Sequence, residues 1–203
     1  VKSNTDEETV TVVRVDLKKE ITLVEEIGVD QWKVTYLITA INNGDGPAVY
    51  PVEDNLQPGN GVNPTTPPTV TYINISDTSV PAQAGNPTGW PVISAAETLS
   101  ANSSESWEVV VEFTLDKTAT GFIETLECAE GDGGAVRGRG FFNEVLVING
   151  EVNTANNRVC ETPKVILIEA VALCEADAAW VNYDARVIGD DLPTPVQLTY
   201  SWI

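Results

Sequence analysis

Histidine and methionine are both absent from this 203-residue chain, and only 11 lysines and arginines stand against 30 aspartates and glutamates. Without an imidazole there is no Ser-His-Asp or Cys-His nucleophile arrangement, and none of the common zinc or copper sites that use histidine as base or ligand. The formal charge of −19 repels phosphate backbones, so nucleic acid is excluded as a partner; proteins that bind it release counterions with a basic stripe. The shortage of cations is uneven, with no Lys or Arg from Val34 to Asp116, a stretch that carries nine acids. No apolar run reaches the roughly 18 residues of a membrane span. The N-terminus Val1-Lys2-Ser3-Asn4 has neither an initiator Met nor a signal peptide and reads as a piece of a longer, processed polypeptide. Three cysteines and no methionine suit an oxidising, extracellular setting.

What the chain has in quantity is two-residue periodicity. Val13, Val15, Leu17, Ile21 and Leu23 form one face of a first long strand, opposite Arg14, Asp16, Lys18 and Glu20. Trp32, Val34, Tyr36, Ile38 and Ala40 repeat the pattern until Asn42-Asn43-Gly44-Asp45-Gly46-Pro47 supplies a turn. A third such face comprises Trp107, Val109, Val111, Phe113 and Leu115, opposite Glu108 and Glu112. Side chains that alternate in this way belong to half-buried strands. The segment Phe141 to Ile148 is apolar on both faces apart from Asn143 and Glu144, which predicts a central, covered strand. Phe122-Ile123-Glu124-Thr125-Leu126 also reads as strand, and no helix-period stretch is evident. Several strands with Gly, Pro and Asn turns predict an all-β fold, an antiparallel β-sandwich.

Asn55 to Ala96 departs from this regularity. It holds Pro58, Pro64, Pro67, Pro68, Pro81, Pro87 and Pro91, has Asp77 as its only charge, and reads as strand only at Thr69 to Ile75. A long neutral excursion either covers one end of a sandwich or presents a binding surface, for which Trp90 would be the stacking residue.

The two ends of the chain resemble one another. Asn4-Thr5 corresponds to Asn153-Thr154 and Val10 to Val159 at an offset of 149, Val15-Asp16-Leu17 to Val165-Ile166-Leu167 at 150, and Val34-Thr35-Tyr36 to Val181-Asn182-Tyr183 at 147. Short matches in the same order and with nearly constant spacing mark a repeat, here with the period of a whole domain. The expected organisation is therefore a terminal strand of a preceding repeat over 1–12, one complete domain over 13–163, and the opening strands of a following repeat over 164–203. Strands cut from their domain need a cover, supplied by the rest of the polypeptide or by another copy.

The motifs that carry a family resemblance follow in order. A Lys-containing first strand, Val15-Asp16-Leu17-Lys18-Lys19-Glu20-Ile21, precedes Val34-Thr35-Tyr36 and the N-x-G turn Asn42-Asn43-Gly44. Val52-Glu53-Asp54-Asn55-Leu56, the Asn-led strand Asn143-Glu144-Val145-Leu146-Val147 and the pair Asn156-Asn157 complete the set. Over Val13 to Pro163 the chain resembles the Ig-like conserved repeat domain of bacterial surface proteins, the family called domain of unknown function eleven. The resemblance implies an Ig-like sandwich, a place in a large secreted or cell-surface protein, and a role as stalk or adhesin module.

Individual residues carry further expectations. Cys128 and Cys160 are placed to form a disulfide tying two late strands together, while Cys174 aligns with Val24 and has its partner elsewhere or none. Lys19 points into the apolar face of Leu17 and Ile21, where a charge is costly unless neutralised. It either reaches back to water or is consumed in an intramolecular cross-link, with Asn143 the candidate partner. Acidic turns at Asp45, Asp54, Glu130 and Asp132 are weak calcium candidates; solvated charge is the simpler reading, and no other cofactor is expected. Glu108 and Glu112 lie on the polar face of a strand, which argues against a glycosidase pair. The expected function is a non-catalytic stalk or fibre segment of a large extracellular repeat protein, contacting neighbouring repeats or other copies. The alternatives are a glycan- or surface-binding adhesive module using 55–96, and a filament subunit assembled by strand exchange.

Overall fold

A computed structural model describes residues 15–72, 83–84, 92–131, 134–147, 154–175 and 178–188. In chain order the elements are β1 (Val15–Gly28), β2 (Gln31–Asn42), β3 (Ala48–Leu56), β4 (Val62–Pro64), β5 (Thr69–Tyr72), β6 (Gln83–Ala84), β7 (Val92–Leu99) and β8 (Ser103–Leu115). Then come the helix α1 (Phe122–Leu126), β9 (Glu130–Gly131), β10 (Gly134–Ala135), β11 (Asn143–Val147), a 3₁₀ turn at Ala155–Asn157, β12 (Arg158–Val159), β13 (Val165–Glu175) and β14 (Ala178–Ile188).

Two antiparallel sheets face each other as an all-β sandwich, in agreement with the alternation of the sequence. One runs β1-β2-β8-β5-β6 with β4 also on β8, and the other runs β12-β11-β3-β7. Period-two alternation fixes the register, because a one-residue slip would turn every apolar side chain outward. β2 and β8 pair without interruption from Gln31↔Thr114 to Asn42↔Ser103. Their inner residues, Trp32, Val34, Tyr36, Ile38, Trp107, Val109, Val111 and Phe113, are all buried. Across the core lie Tyr50 and Val52 of β3 and Val145 of β11. Tyr50 meets Trp107 edge-on, with ring centroids 6.4 Å apart. The apolar segment around Val145 is central as expected, since β11 lies between β3 and β12, but it is not covered on both faces, because Leu146 is 38% exposed.

Three local expectations change. Residues 122–126 form a helix, because a strand would put Glu124 on the same face as Phe122 and Leu126. A helical turn instead brings those two, four residues apart, onto one buried face and leaves Glu124 exposed. Gly121 opens the helix at φ 76°, and Thr125 Oγ1 donates to its carbonyl at 2.8 Å. Second, the register of β1 shifts between Ile21 and Leu23. This bulge reverses the alternation, so Leu23 is 47% exposed while Val24 packs against the core. Third, the Pro-rich excursion contains β4, β5, β6 and the start of β7, with β5 covering Thr69–Tyr72. β8 pairs with β2 along one edge, and β4 and β5 lie end to end along the other, satisfying backbone groups that would otherwise be open to another chain.

The hairpin β13–β14 stands apart in topology. Its strands pair from Val165↔Ile188 to Glu175↔Ala178 and join neither sheet of the sandwich among the described residues. Val165 and Ile188, the pair at its root, belong to the core of the sandwich.

Candidate functional site

In the middle of the sandwich, where apolar side chains would be expected throughout, a lysine, an aspartate and an asparagine meet. Lys19 comes from β1, in one sheet; Asp54 from β3 and Asn143 from β11 come from the other. Each reaches the interior by strand alternation. Leu17 and Lys19 are buried while Lys18 and Glu20 are exposed, and on β3 the buried positions Tyr50 and Val52 lead directly to Asp54. Asp54 lies opposite Val145, and Asn143 opposite Leu56, so Asp54 and Asn143 are diagonal neighbours on the inner face of one sheet.

Lys19 Nζ donates to Asp54 Oδ1, and both side chains are completely removed from solvent. Asn143 Nδ2 donates to Asp54 Oδ2 at 3.2 Å. One carboxylate thus receives the amine on one oxygen and the carboxamide on the other. Asn143 is fully buried, and its Oδ1 finds no donor among the described residues. The Tyr36 ring closes one side of the site. Lys19 Nζ sits 5.2 Å from the centroid of the Tyr36 ring, and the Tyr36 hydroxyl donates to the Phe141 carbonyl at 2.9 Å. The Phe141 ring packs against Phe113, with centroids 4.9 Å apart, and against Trp32, at 6.0 Å.

The electrostatics follow from this enclosure. Burial pushes the Lys19 amine below its usual range, opposed by the charge and hydrogen bond of Asp54. Burial pushes the Asp54 carboxyl up, opposed by Lys19 and by the Asn143 bond. Desolvation is the larger influence on both groups, so the enclosure disfavours the charged form of each. A neutral primary amine is a nucleophile, and a carboxyl group touching both amine and amide can carry a proton between them.

Cys128, just after α1, and Cys160, just after β12, form a disulfide with their Cα atoms 5.8 Å apart; it ties the exit of the helix, not a late strand, to the edge of a sheet. Gly140 makes room for it, since a Cβ there would fall 2.7 Å from Cys128 Sγ and 2.5 Å from the Glu161 carbonyl oxygen. Cys174 pairs with Ala179 in the β13–β14 ladder. Of the calcium candidates, Asp45 is exposed in the turn after β2, and Asp54 is not a solvated turn residue but is enclosed with Lys19. Glu130 lies in β9, and Asp132 is outside the described residues, as is Trp90. Among the described residues no three acids or cysteines converge as metal ligands. Asn143 was singled out from the sequence and Asp54 was not recognised as its partner, although the period-two run Tyr50, Val52, Asp54 signals an inward carboxylate.

No family model, curated protein or solved structure matches this chain.

Proposed function

We propose that this chain is a non-catalytic structural segment of a large extracellular repeat protein, built as a stalk or surface fibre from sandwiches in series. The observation that carries the reading is the recurrence of the opening hairpin. Val15 in β1 and Val165 in β13 each lie in a long antiparallel hairpin, β1–β2 and β13–β14. That spacing matches the sequence repeat. In the first unit β8 and the facing sheet complete the hairpin; in the second the same role would fall to the remainder of a following copy. In such an array each unit buries its own core and touches only its neighbours, so length grows with copy number. The high negative charge keeps the series extended and soluble.

The test is whether the first unit is autonomous. Residues 13–163 expressed alone are expected to melt cooperatively, a few degrees below the whole chain because Val165 and Ile188 no longer cover the end of the core. Failure to fold without residues 164–203 would place both parts in one indivisible domain and overturn the reading.

A further inference from the structure

We propose that Lys19 and Asn143 become joined by an isopeptide bond that the folded protein forms on itself, with Asp54 relaying the proton. The inference stands on the enclosed site and is independent of the stalk reading. Three observations lead to it. The amine and the carboxamide are held by the two oxygens of one carboxylate. No water-exposed path solvates the amine, since the Lys19 side chain is fully buried. The Asn143 carbonyl oxygen has no donor among the described residues, a state costly in a closed core, and rotation of the amide would turn this oxygen toward a protonated Asp54.

The chemistry balances without any co-reactant. The Nζ lone pair of the neutral amine attacks Asn143 Cγ while the Asp54 carboxyl hydrogen-bonds to Oδ1, forming a tetrahedral adduct. Asp54 then takes one proton from Nζ and delivers one to Nδ2. The Cγ–Nδ2 bond breaks, ammonia leaves, and the carbonyl re-forms as a secondary amide between Nζ and Cγ. Asp54 ends as it began, a carboxyl group, and nothing is oxidised or reduced. Because β1 and β11 belong to opposite sheets, the new bond crosses the core and fastens one face of the sandwich to the other. The complete burial of the Lys19 and Asp54 side chains, with the Tyr36 ring centroid 5.2 Å from Nζ, keeps water from competing for the amine's protons and from hydrating its charge.

The experiment is intact mass spectrometry of the folded chain with its disulfide reduced, followed by peptide mapping. The expected mass lies about 17 Da below that of the sequence, equal to one ammonia lost when the amine acylates. A branched peptide should join the segment containing Lys19 to the segment containing Asn143. Full sequence mass overturns the proposal. So does a deficit confined to Asn143 while Lys19 still reacts with amine reagents, which would be an asparagine succinimide. The wild-type measurement decides the bond without requiring any variant to fold. Asp54→Asn, nearly the same shape, should show the full mass of its own sequence; a folded variant that retains the deficit removes Asp54 from the reaction.

Discussion

Asn42 shows how much of this fold depends on single polar side chains. It is fully buried at the end of β2, where its Nδ2 donates to the carbonyls of Gly46 at 2.9 Å and of Leu99 and Ser100 at 3.1 Å. Its Oδ1 accepts from the Gly44 backbone N–H at 2.9 Å. The side chain therefore closes its own turn and fastens it to the connection between β7 and β8 at the same end of the sandwich. Asn42→Ala leaves these groups without their partner, and a loss of roughly 2 to 3 kcal/mol is expected from the desolvation cost of orphaned backbone polars. Urea unfolding monitored by tryptophan fluorescence should show a lower midpoint with an unchanged slope. The N-x-G motif was visible in the sequence as a turn, but its longer-range bonds were not, because they depend on which loop folds against it. The same holds for the buried site. Lys19 stood out because it interrupts an apolar face, whereas Asp54 sat in an acidic stretch that resembles any solvated turn until the alternation from Tyr50 is followed inward.

At the scale of elements, long regular strands were legible and their interruptions were not. Alternation marked β2 and β8 along almost their whole length, since both carry apolar residues at every second position. It failed past Ile21, because a bulge is set by pairing with β2 and leaves no mark on composition, so Leu23 and Val24 exchange faces. It failed again at α1, which is too short to display a period and owes its conformation to Gly121 and to the burial of Phe122 and Leu126. The disulfide between Cys128 and Cys160 fixes that helix exit beside β12 across a sequence separation of 32. Closing a loop of this length is worth about 3 to 4 kcal/mol through the entropy it removes from the unfolded chain. The double variant Cys128→Ala/Cys160→Ala is expected to lose that amount, and denaturant melts of the wild type with and without reductant should reproduce most of the difference. An unchanged midpoint under full reduction, checked by thiol titration, would mean that the helix exit is held by its packing alone.

For the whole molecule, the charge and the likeness of the two ends were legible in the sequence, while the rooting of the hairpin in the sandwich came from the three-dimensional arrangement of Val165 and Ile188. The charge leads to a prediction in which two salt effects compete. Screening weakens attractive surface pairs such as Lys18–Glu20, Lys33–Glu25 and Lys117–Asp30, which contribute little on an exposed surface. Screening also relieves the mutual repulsion of an excess of 19 negative charges, and from Val34 to Asp116 no cation interrupts it. Among the described residues the attractive pairs are few and local, whereas the repulsion acts over the whole compact state and is released on unfolding. Repulsion should therefore dominate, and the melting temperature should rise as sodium chloride is increased from about 10 mM to about 500 mM, most steeply while the Debye length falls from roughly 30 Å to a few ångströms. The Lys19–Asp54 contact, shut away from solvent, contributes nothing to this dependence, so Asp54→Asn should shift the entire curve without altering its slope. A melting temperature that falls with salt would show that the surface pairs outweigh the net charge.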